Sequence, residues 1–313
     1  MHPHLARCVL CAAIACAPFA AVRAADAPAP SCGASGVAVQ VLGSGGPEMR
    51  GRASASYLVW VDGKARVLVD AGGGSALRFG ASGARVADFD LIAFTHLHSD
   101  HSADLPAFIK SSHFEDAPRK RALPVLGPTG TGLMPSTTQF VDGLFGPKTG
   151  VFRYLGPQGN EQIFELKAQD LALGEAEVRV VYEQDGLRIS ATPVIHANIP
   201  ALAFRVDVAG RSVTFSGDGN GNNGNLEKLA AGSSMLVAHL AIDDSFHFGE
   251  RRLHAPPALI GEIAARAKVG SLVLSHRRPE TLGKEARLQA VIAADYLGPI
   301  SYVEDLSCFA LPR

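Results

Sequence analysis

The 313-residue chain has almost no excess of charge, with 29 Lys and Arg against 30 Asp and Glu for a formal net charge of −1. No basic stripe stands out, which argues against a large nucleic-acid footprint. After the first two dozen residues, no apolar run reaches the roughly 20 residues that a membrane-spanning helix needs. Cysteine is scarce, and three of the five (Cys8, Cys11 and Cys16) fall near the start. The stretch GDGNGNNGN at 217–225 is rich in glycine. It lacks the Lys-Ser/Thr pair of a phosphate-cradling loop and reads as a turn-rich connection. No short-period repeat is present.

The opening residues differ from the rest. Arg7 precedes an apolar run from Cys8 to Ala21, and small residues follow. That is the order of a secretory signal. Val22 and Ala24 suit the −3 and −1 positions, so cleavage is expected after Ala24. Residues 1–24 are then a signal peptide, residues 25–313 a single mature domain, and the location periplasmic or secreted. An uncut N-terminal anchor is the alternative. Lipid attachment at Cys16 is disfavoured, because Ala13 stands where a leucine is expected. Loss of Arg7 and Arg23 takes the formal charge to −3. Only Cys32 and Cys308 remain, and an oxidising compartment suggests one disulfide between them. Two free thiols are the other reading. The oligomeric state is left open.

Short β-branched runs recur and end in turn chemistry. They include Val37–Leu42, Ser56–Val61, Arg66–Val69, Leu91–Phe94, Arg179–Tyr182, Leu187–Ile195, Ala201–Val208, Ser212–Ser216, Met235–Ala238, Ser271–Ser275 and Ser301–Val303. These read as strands. VDGK and VAGR look like hairpin turns, so part of the pairing should be antiparallel. Helical spacing marks residues 101–114, PALIGEIAARAK and GKEARLQAVIAADYL. Strands in two blocks, each with helices, predict two sheets between helical layers. Residues 127–170, rich in Gly and Pro, read as an irregular, substrate-shaping insertion.

The segment FTHLHSDHSADLP at 94–106 places three of eleven histidines within six residues, directly after an apolar strand. Three further strand ends carry a candidate ligand: Ile195 leads into His196, Ser216-Gly217 into Asp218, and Ser275 into His276. A lone histidine after a strand is ordinarily a solvent-facing residue. Four such ends, one of them HxHxDH, point to a shared crevice. In an extended segment the i and i+2 side chains point the same way, so His96 and His98 can share one ion. Asp100 and His101 turn toward a second as the chain enters a helix. The metal-ligand set is thus His96, His98, Asp100, His101, His196, Asp218 and His276, for two divalent ions. Zinc suits nitrogen and carboxylate donors, with manganese or iron as alternatives.

These motifs resemble the metallo-β-lactamase superfamily. THLHSDH resembles its HxHxDH signature, LGSGG the loop after its first strand, and VLVDAGGG its strand-plus-Asp motif. His196, FSGDG with Asp218 and LVLSH with His276 follow in the family's order. The resemblance implies an α/β (α+β) fold, the αββα four-layer sandwich, and a dinuclear hydrolytic centre. The branch it looks most like is the ribonuclease Z-like phosphodiesterases. SGDGNGNNGNLEKLA, His239 in VAHLAI and His254 in LHAPPALIGEIA match motifs of that branch. Leu240 stands where the branch has Glu, and Gly219 where it has Thr.

With the signal segment, the resemblance therefore implies an exported hydrolase of phosphodiester or similar ester bonds, acting through a metal-bridging hydroxide. Asp100 would both bind metal and orient the hydroxide. His254 would donate the proton to the leaving group, or else merely sit at a helix start. The substrate is expected to be a small ester or phosphodiester. No tRNA partner is expected, given the charge, the export signal and the lack of a basic gripping arm. The alternatives are a lactonase, thioesterase or β-lactam hydrolase and, outside enzymes, a metal- or ligand-binding protein. His239 reads as a buried, hydrogen-bonded residue, and His113 and His247 as surface or loop residues.

Overall fold

In the computed structural model, described residues are 32–114, 122–156, 165–245 and 248–311. Residues 1–24, expected to be a signal peptide, and His247 lie outside them. Among the described residues, fourteen strands form two seven-stranded sheets. Sheet one holds β1 (Val37–Gly43), β2 (Ser56–Val61), β3 (Lys64–Val69), β4 (Leu91–Ala93), β5 (Ala122–Pro128) and β6 (Glu165–Leu171). Sheet two holds β7 (Arg179–Gln184), β8 (Leu187–His196), β9 (Ile199–Val208), β10 (Arg211–Phe215), β11 (Met235–His239), β12 (Leu272–Ser275) and β13 (Ile300–Tyr302). The last strand, β14 (Cys308–Ala310), returns to sheet one and pairs antiparallel with β1.

Each sheet begins antiparallel and continues parallel. β1, β2 and β3 pair antiparallel, then β3 to β6 run parallel. β7 to β10 pair antiparallel, then β10 to β13 run parallel. The predicted hairpins VDGK and VAGR turn through Asp62-Gly63 and Ala209-Gly210, all four at positive φ. Two successive left-handed residues match the twist of the flanking strands.

Period-two alternation sorts the side chains into layers. On β1, Val37, Val39 and Val41 join the core between the sheets, while Ala38 and Leu42 join the core under the first helical layer. Tyr57 and Val59 of β2 face inward, and Leu58 and Trp60 outward. Phe79 of helix Ser75–Ser82, Phe108 of Leu105–Ser111 and Val141 of Thr137–Phe145 close the outer face of sheet one. Leu229 of Asn225–Ala230, Ile263 of Pro257–Arg266 and Leu288 of Glu285–Ile292 cover sheet two. The result is the predicted αββα sandwich. Each fully buried Leu, Ile or Phe contributes roughly 1.5–3 kcal/mol of transfer free energy, so three apolar cores hold the strand ends in register.

Two local expectations change. The helix expected over 101–114 is broken into Ser99–Ser102, Leu105–Ser111 and a 3₁₀ turn Ser112–Phe114. Pro106 sits in the first turn of the middle piece, where its missing N–H costs nothing but from which a helix cannot extend backward. The stretch 127–170 is more regular than its composition suggests. It contains helix Thr137–Phe145, opened by a capping box in which Gln139 N donates to Ser136 Oγ (3.3 Å) and Ser136 N to Gln139 Oε1 (2.9 Å). Its residues 157–164 lie outside the described set.

Cys32 and Cys308 form a disulfide with Cα atoms 5.7 Å apart, 276 positions apart in sequence. No helix among the described residues is long and apolar enough to cross a membrane.

Candidate metal centre

The C-terminal ends of β4, β8, β10 and β12 meet at one place. After β4 the chain runs extended through His96 and turns into a helix at His98, whose ψ of 150° still belongs to the strand region. β8 ends on His196 itself. Between β10 and Asp218, Gly217 has φ 58°, and a Cβ there would lie 2.7 Å from Leu202 O and 2.9 Å from Thr95 Cβ. Only glycine allows that approach, which brings Asp218 against the loop from β4. His276 follows β12 with φ 53°, an uncommon conformation for a residue with a side chain.

All seven residues expected to bind metal are gathered here. Asp218 Oδ2 is the hub. It lies 3.6 Å from His101 Nε2 and His276 Nε2, 3.8 Å from His196 Nε2, and 3.9 Å from His96 Nε2 and His254 Nδ1. These separations are too long for hydrogen bonds. Ligand atoms held ~2.0–2.2 Å from a shared ion stand a little over 3 Å apart, so the spacing suits intervening cations. His96, His98 and His196 form one group whose ligand atoms lie within 4.8 Å of one another. His101, Asp218, His239 and His276 form a second, and His196, Asp218 and His254 a third. Asp100 Oδ2 lies 3.3 Å from His276 Nε2 and 3.7 Å from His101 Nε2.

The outer atoms of the rings decide which nitrogen faces inward. His196 Nδ1 lies 2.9 Å from Leu253 O. A carbonyl only accepts, so Nδ1 carries the proton and Nε2 turns a lone pair toward the hub. His101 Nδ1 is likewise 2.8 Å from Asp70 Oδ2. Asp70 is fixed in turn by Thr95, whose N and Oγ1 donate to Oδ1 at 2.7 Å and Oδ2 at 2.8 Å. The inward Nε2 of His101 is buried without a hydrogen-bond partner. A buried orphan of this kind is costly unless something occupies the space before it, and a cation fits the donor set.

Electrostatics support the same division. Burial drives His96 well below the ordinary imidazole value, helped by the neighbouring His101, and burial lowers His98 too. Neutral rings are the form that binds metal. Burial works to raise Asp100 and Asp218. It loses to the His276 hydrogen bond at Asp100 and to the charges of His276, His254 and His101 at Asp218, so both carboxyls stay well below their usual range. Burial opposes protonation of His101, but Asp218 and Asp70 outweigh it and hold that ring well above its ordinary value. Bound divalent charge would replace that proton.

His239 is near the hub but differently employed. Its Nδ1 is 2.7 Å from Asp218 Oδ1 and its Nε2 2.9 Å from the Tyr57 hydroxyl, so both nitrogens are engaged. His254, proposed from sequence as the proton donor, packs against the hub, with its ring centroid 5.4 Å from that of His196. Burial pushes it down to about 3, against the pull of Asp218. Leu240 is fully buried in the outer core of sheet two and offers His254 no carboxylate. His113 is apart from the centre, with Nδ1 3.1 Å from Ile109 O in the preceding helix. The loop at 217–225 binds no phosphate-like cradle together. Its Asn223 and Asn225 amides donate to Pro193 O.

Thr95, Tyr57 and Ser275 are the participants that sequence reading passed over. The only signal was a tyrosine in an otherwise aliphatic inward-facing row, and polar residues beside the ligands.

Comparison with known proteins follows this geometry. The family model described as "Metallo-beta-lactamase superfamily" matches residues 49–246. A curated protein named Ribonuclease Z from Mycobacterium avium is 32% identical over 283 residues, covering 86% of this chain and 96% of that protein. Ribonuclease Z from Mycobacterium marinum is 31% identical over 282 residues, covering 86% and 97%. Among solved structures, the short form of human tRNase Z aligns with a TM-score of 0.66 at 20% identity, covering 88% of this chain and 100% of that one. The metallo-beta-lactamase fold protein YhfI from Bacillus subtilis also gives 0.66, at 17% identity over 87% and 98%.

The names of these relatives overturn the expectation that no tRNA is involved, because they point to RNA. That expectation leaned on the net charge, the export signal and the lack of a basic gripping arm, and a net charge is a sum over the whole surface. It does not describe the field at a centre whose own ions would attract a phosphodiester.

Proposed function

We propose that this chain, which belongs to the metallo-beta-lactamase superfamily, is a dinuclear metal-dependent hydrolase of phosphodiester bonds, with RNA as the substrate class its curated relatives indicate. The observation that carries this reading is Asp218 Oδ2 with nitrogens of five histidines 3.6–3.9 Å around it. We assign His96, His98 and His196 to one ion and Asp100, His101 and His276 to the other, with Asp218 shared and zinc the first choice. Such a pair of ions, when bound, polarises the phosphoryl oxygen, activates water and steadies the leaving oxygen.

The chain's own groups do the remaining work. Asp70 and the Leu253 carbonyl fix the tautomers of His101 and His196, so neither of these two rings has to reorient when an ion arrives. Asp100, kept ionised by its histidine neighbours, accepts a proton from the attacking water and orients it. His254 stands ready to protonate the leaving oxygen. Burial favours its neutral form, and the negative charge of a phosphoryl group beside it would favour the imidazolium. We further propose that residues 1–24 direct export to the periplasm or beyond. Cell fractionation, with N-terminal sequencing of the recovered protein, tests this; a cytoplasmic protein that retains Met1 would refute it.

The decisive experiment is a turnover panel on metal-loaded protein: bis-nitrophenyl phosphate, a short RNA with a 3′ extension, a lactone, a thioester and a β-lactam. Chelation should abolish hydrolysis of the first two, and zinc should restore it. Elemental analysis should find close to two divalent ions per chain. Turnover of the lactone, thioester or β-lactam alone would replace the phosphodiesterase reading. Full metal loading with no turnover would favour a binding protein.

A further inference from the structure

Tyr57 is wholly buried in the core between the sheets, among Val41, Val59 and Phe215. It belongs to β2 in sheet one, yet its hydroxyl crosses to sheet two. There it meets His239 Nε2 at 2.9 Å and Ser275 Oγ at 2.9 Å. These partners end adjacent parallel strands and stand opposite each other in the register. The same His239 carries Asp218 Oδ1 on its other nitrogen, at 2.7 Å.

A buried tyrosine needs some partner for its hydroxyl, and any polar neighbour would serve that purpose. Here the partner leads directly to the hub of the centre. The order of donors is set from the carboxylate end. Asp218 can only accept, so His239 Nδ1 carries the proton. A neutral imidazole then has a lone pair on Nε2, and the group within reach to donate to it is the Tyr57 hydroxyl, whose single proton can point to that nitrogen or to Ser275 Oγ.

We infer that Tyr57 is a positioning residue for the metal centre, acting across the sandwich through His239 to keep Asp218 Oδ1 engaged and Oδ2 turned toward the histidines. The inference rests on the reading of Asp218 as a metal ligand. Without the hydroxyl, Nε2 becomes a buried acceptor with no donor. The ring then gains from exchanging tautomers or rotating, and either change releases Oδ1. The packing between the sheets and the geometry of the shared ligand are thereby linked through one O–H.

The test is Tyr57→Phe, which keeps the ring and its packing. Zinc affinity is measured by competition with a chromophoric chelator, and the visible spectrum of the cobalt-substituted protein reports the ligand field. Partners in the outer sphere typically cost 10–100-fold in metal affinity. We expect Tyr57→Phe to lose roughly 10–100-fold for the weaker ion and to shift the cobalt bands. Val59→Ala, in the same strand and core, should lower the melting temperature and leave both metal readouts at the wild-type values. In a double-mutant cycle with His239→Gln, Tyr57→Phe should add almost nothing.

Wild-type affinity and an unshifted spectrum in Tyr57→Phe would overturn the inference. So would an equal loss in Val59→Ala, which would assign the effect to packing, or independent losses in the cycle, which would bypass His239. Failure of the wild-type protein itself to bind zinc is a different result. It would defeat the metal-centre reading first, and this inference with it.

Discussion

The two sheets supply the centre in different ways. Sheet one delivers His96, His98, Asp100 and His101 on a single turn after β4. Sheet two delivers His196, Asp218 and His276 one at a time, from the ends of β8, β10 and β12. The first group is held by local chain geometry: an extended i, i+2 pair and then a helical turn. The second depends on the register of three strands that need not end at the same height. Sheet two also has the cross-sheet support, since the Tyr57 hydroxyl lies 2.9 Å from both His239 Nε2 and Ser275 Oγ. Local ligands should therefore fail singly when substituted, and dispersed ones should respond to changes elsewhere in the fold.

Asp218→Asn breaks the contrast outright, because in the proposed centre Asp218 is shared by both groups. Both ions should be lost and activity should fall by more than the ~10–100-fold that outer-sphere changes cost. Elemental analysis beside the turnover assay checks this; retention of two ions would remove Asp218 from the hub.

His254→Ala comes next and separates chemistry from metal holding. Metal content should stay at the wild-type level while the rate on a substrate with an alkoxide leaving group drops roughly 10²–10⁴-fold. Nitrophenolate needs little protonation, so its loss should be much smaller. Equal penalties on both substrates would reduce His254 to a pocket wall.

Asp70→Asn sharpens the contrast from the side of sheet one. Asp70 sits behind His101 and is held by Thr95. Its replacement should weaken one ion by roughly 10–100-fold and spare the group of His96, His98 and His196. Calorimetric titration resolves the two binding events, and equal weakening of both would contradict the division.

The smallest effect on activity is expected at the disulfide. Cys32–Cys308 closes 276 positions, and loss of a native bridge typically costs 2–5 kcal/mol of stability. Cys308→Ser should lower the denaturation midpoint while leaving turnover well below that midpoint near normal. A large loss of turnover in a still-folded variant would show that the β14–β1 edge reaches the centre.

The legible part of the site was the part written as contiguous residues. HxHxDH at 96–101 can be read directly, and His196, Asp218 and His276 became readable because each follows an apolar run. Tyr57 was hidden because its position in β2 follows the alternation of an ordinary core residue. Helix Thr137–Phe145 was obscured by surrounding Gly and Pro, although its Ser136/Gln139 box is a sequence signal. The expected lack of an RNA partner, drawn from the net charge, the export signal and the missing basic arm, is overturned by the relatives' names, and a net charge carries no information about place.

By itself the sequence determined the layers, the hairpins and which histidines and aspartates gather at one place. Periodicity of apolar side chains and the φ demands of Asp-Gly and Ala-Gly turns are local properties of the chain. Only the tertiary structure decided which atoms meet. Asp218 Oδ2 rather than Oδ1 faces the histidines because His239, 21 positions away, occupies Oδ1. His239 is set in turn by a tyrosine 182 positions away on the opposite sheet. Hydrogen bonds act over about 3 Å, and residues so far apart in sequence come that close only when the two sheets pack.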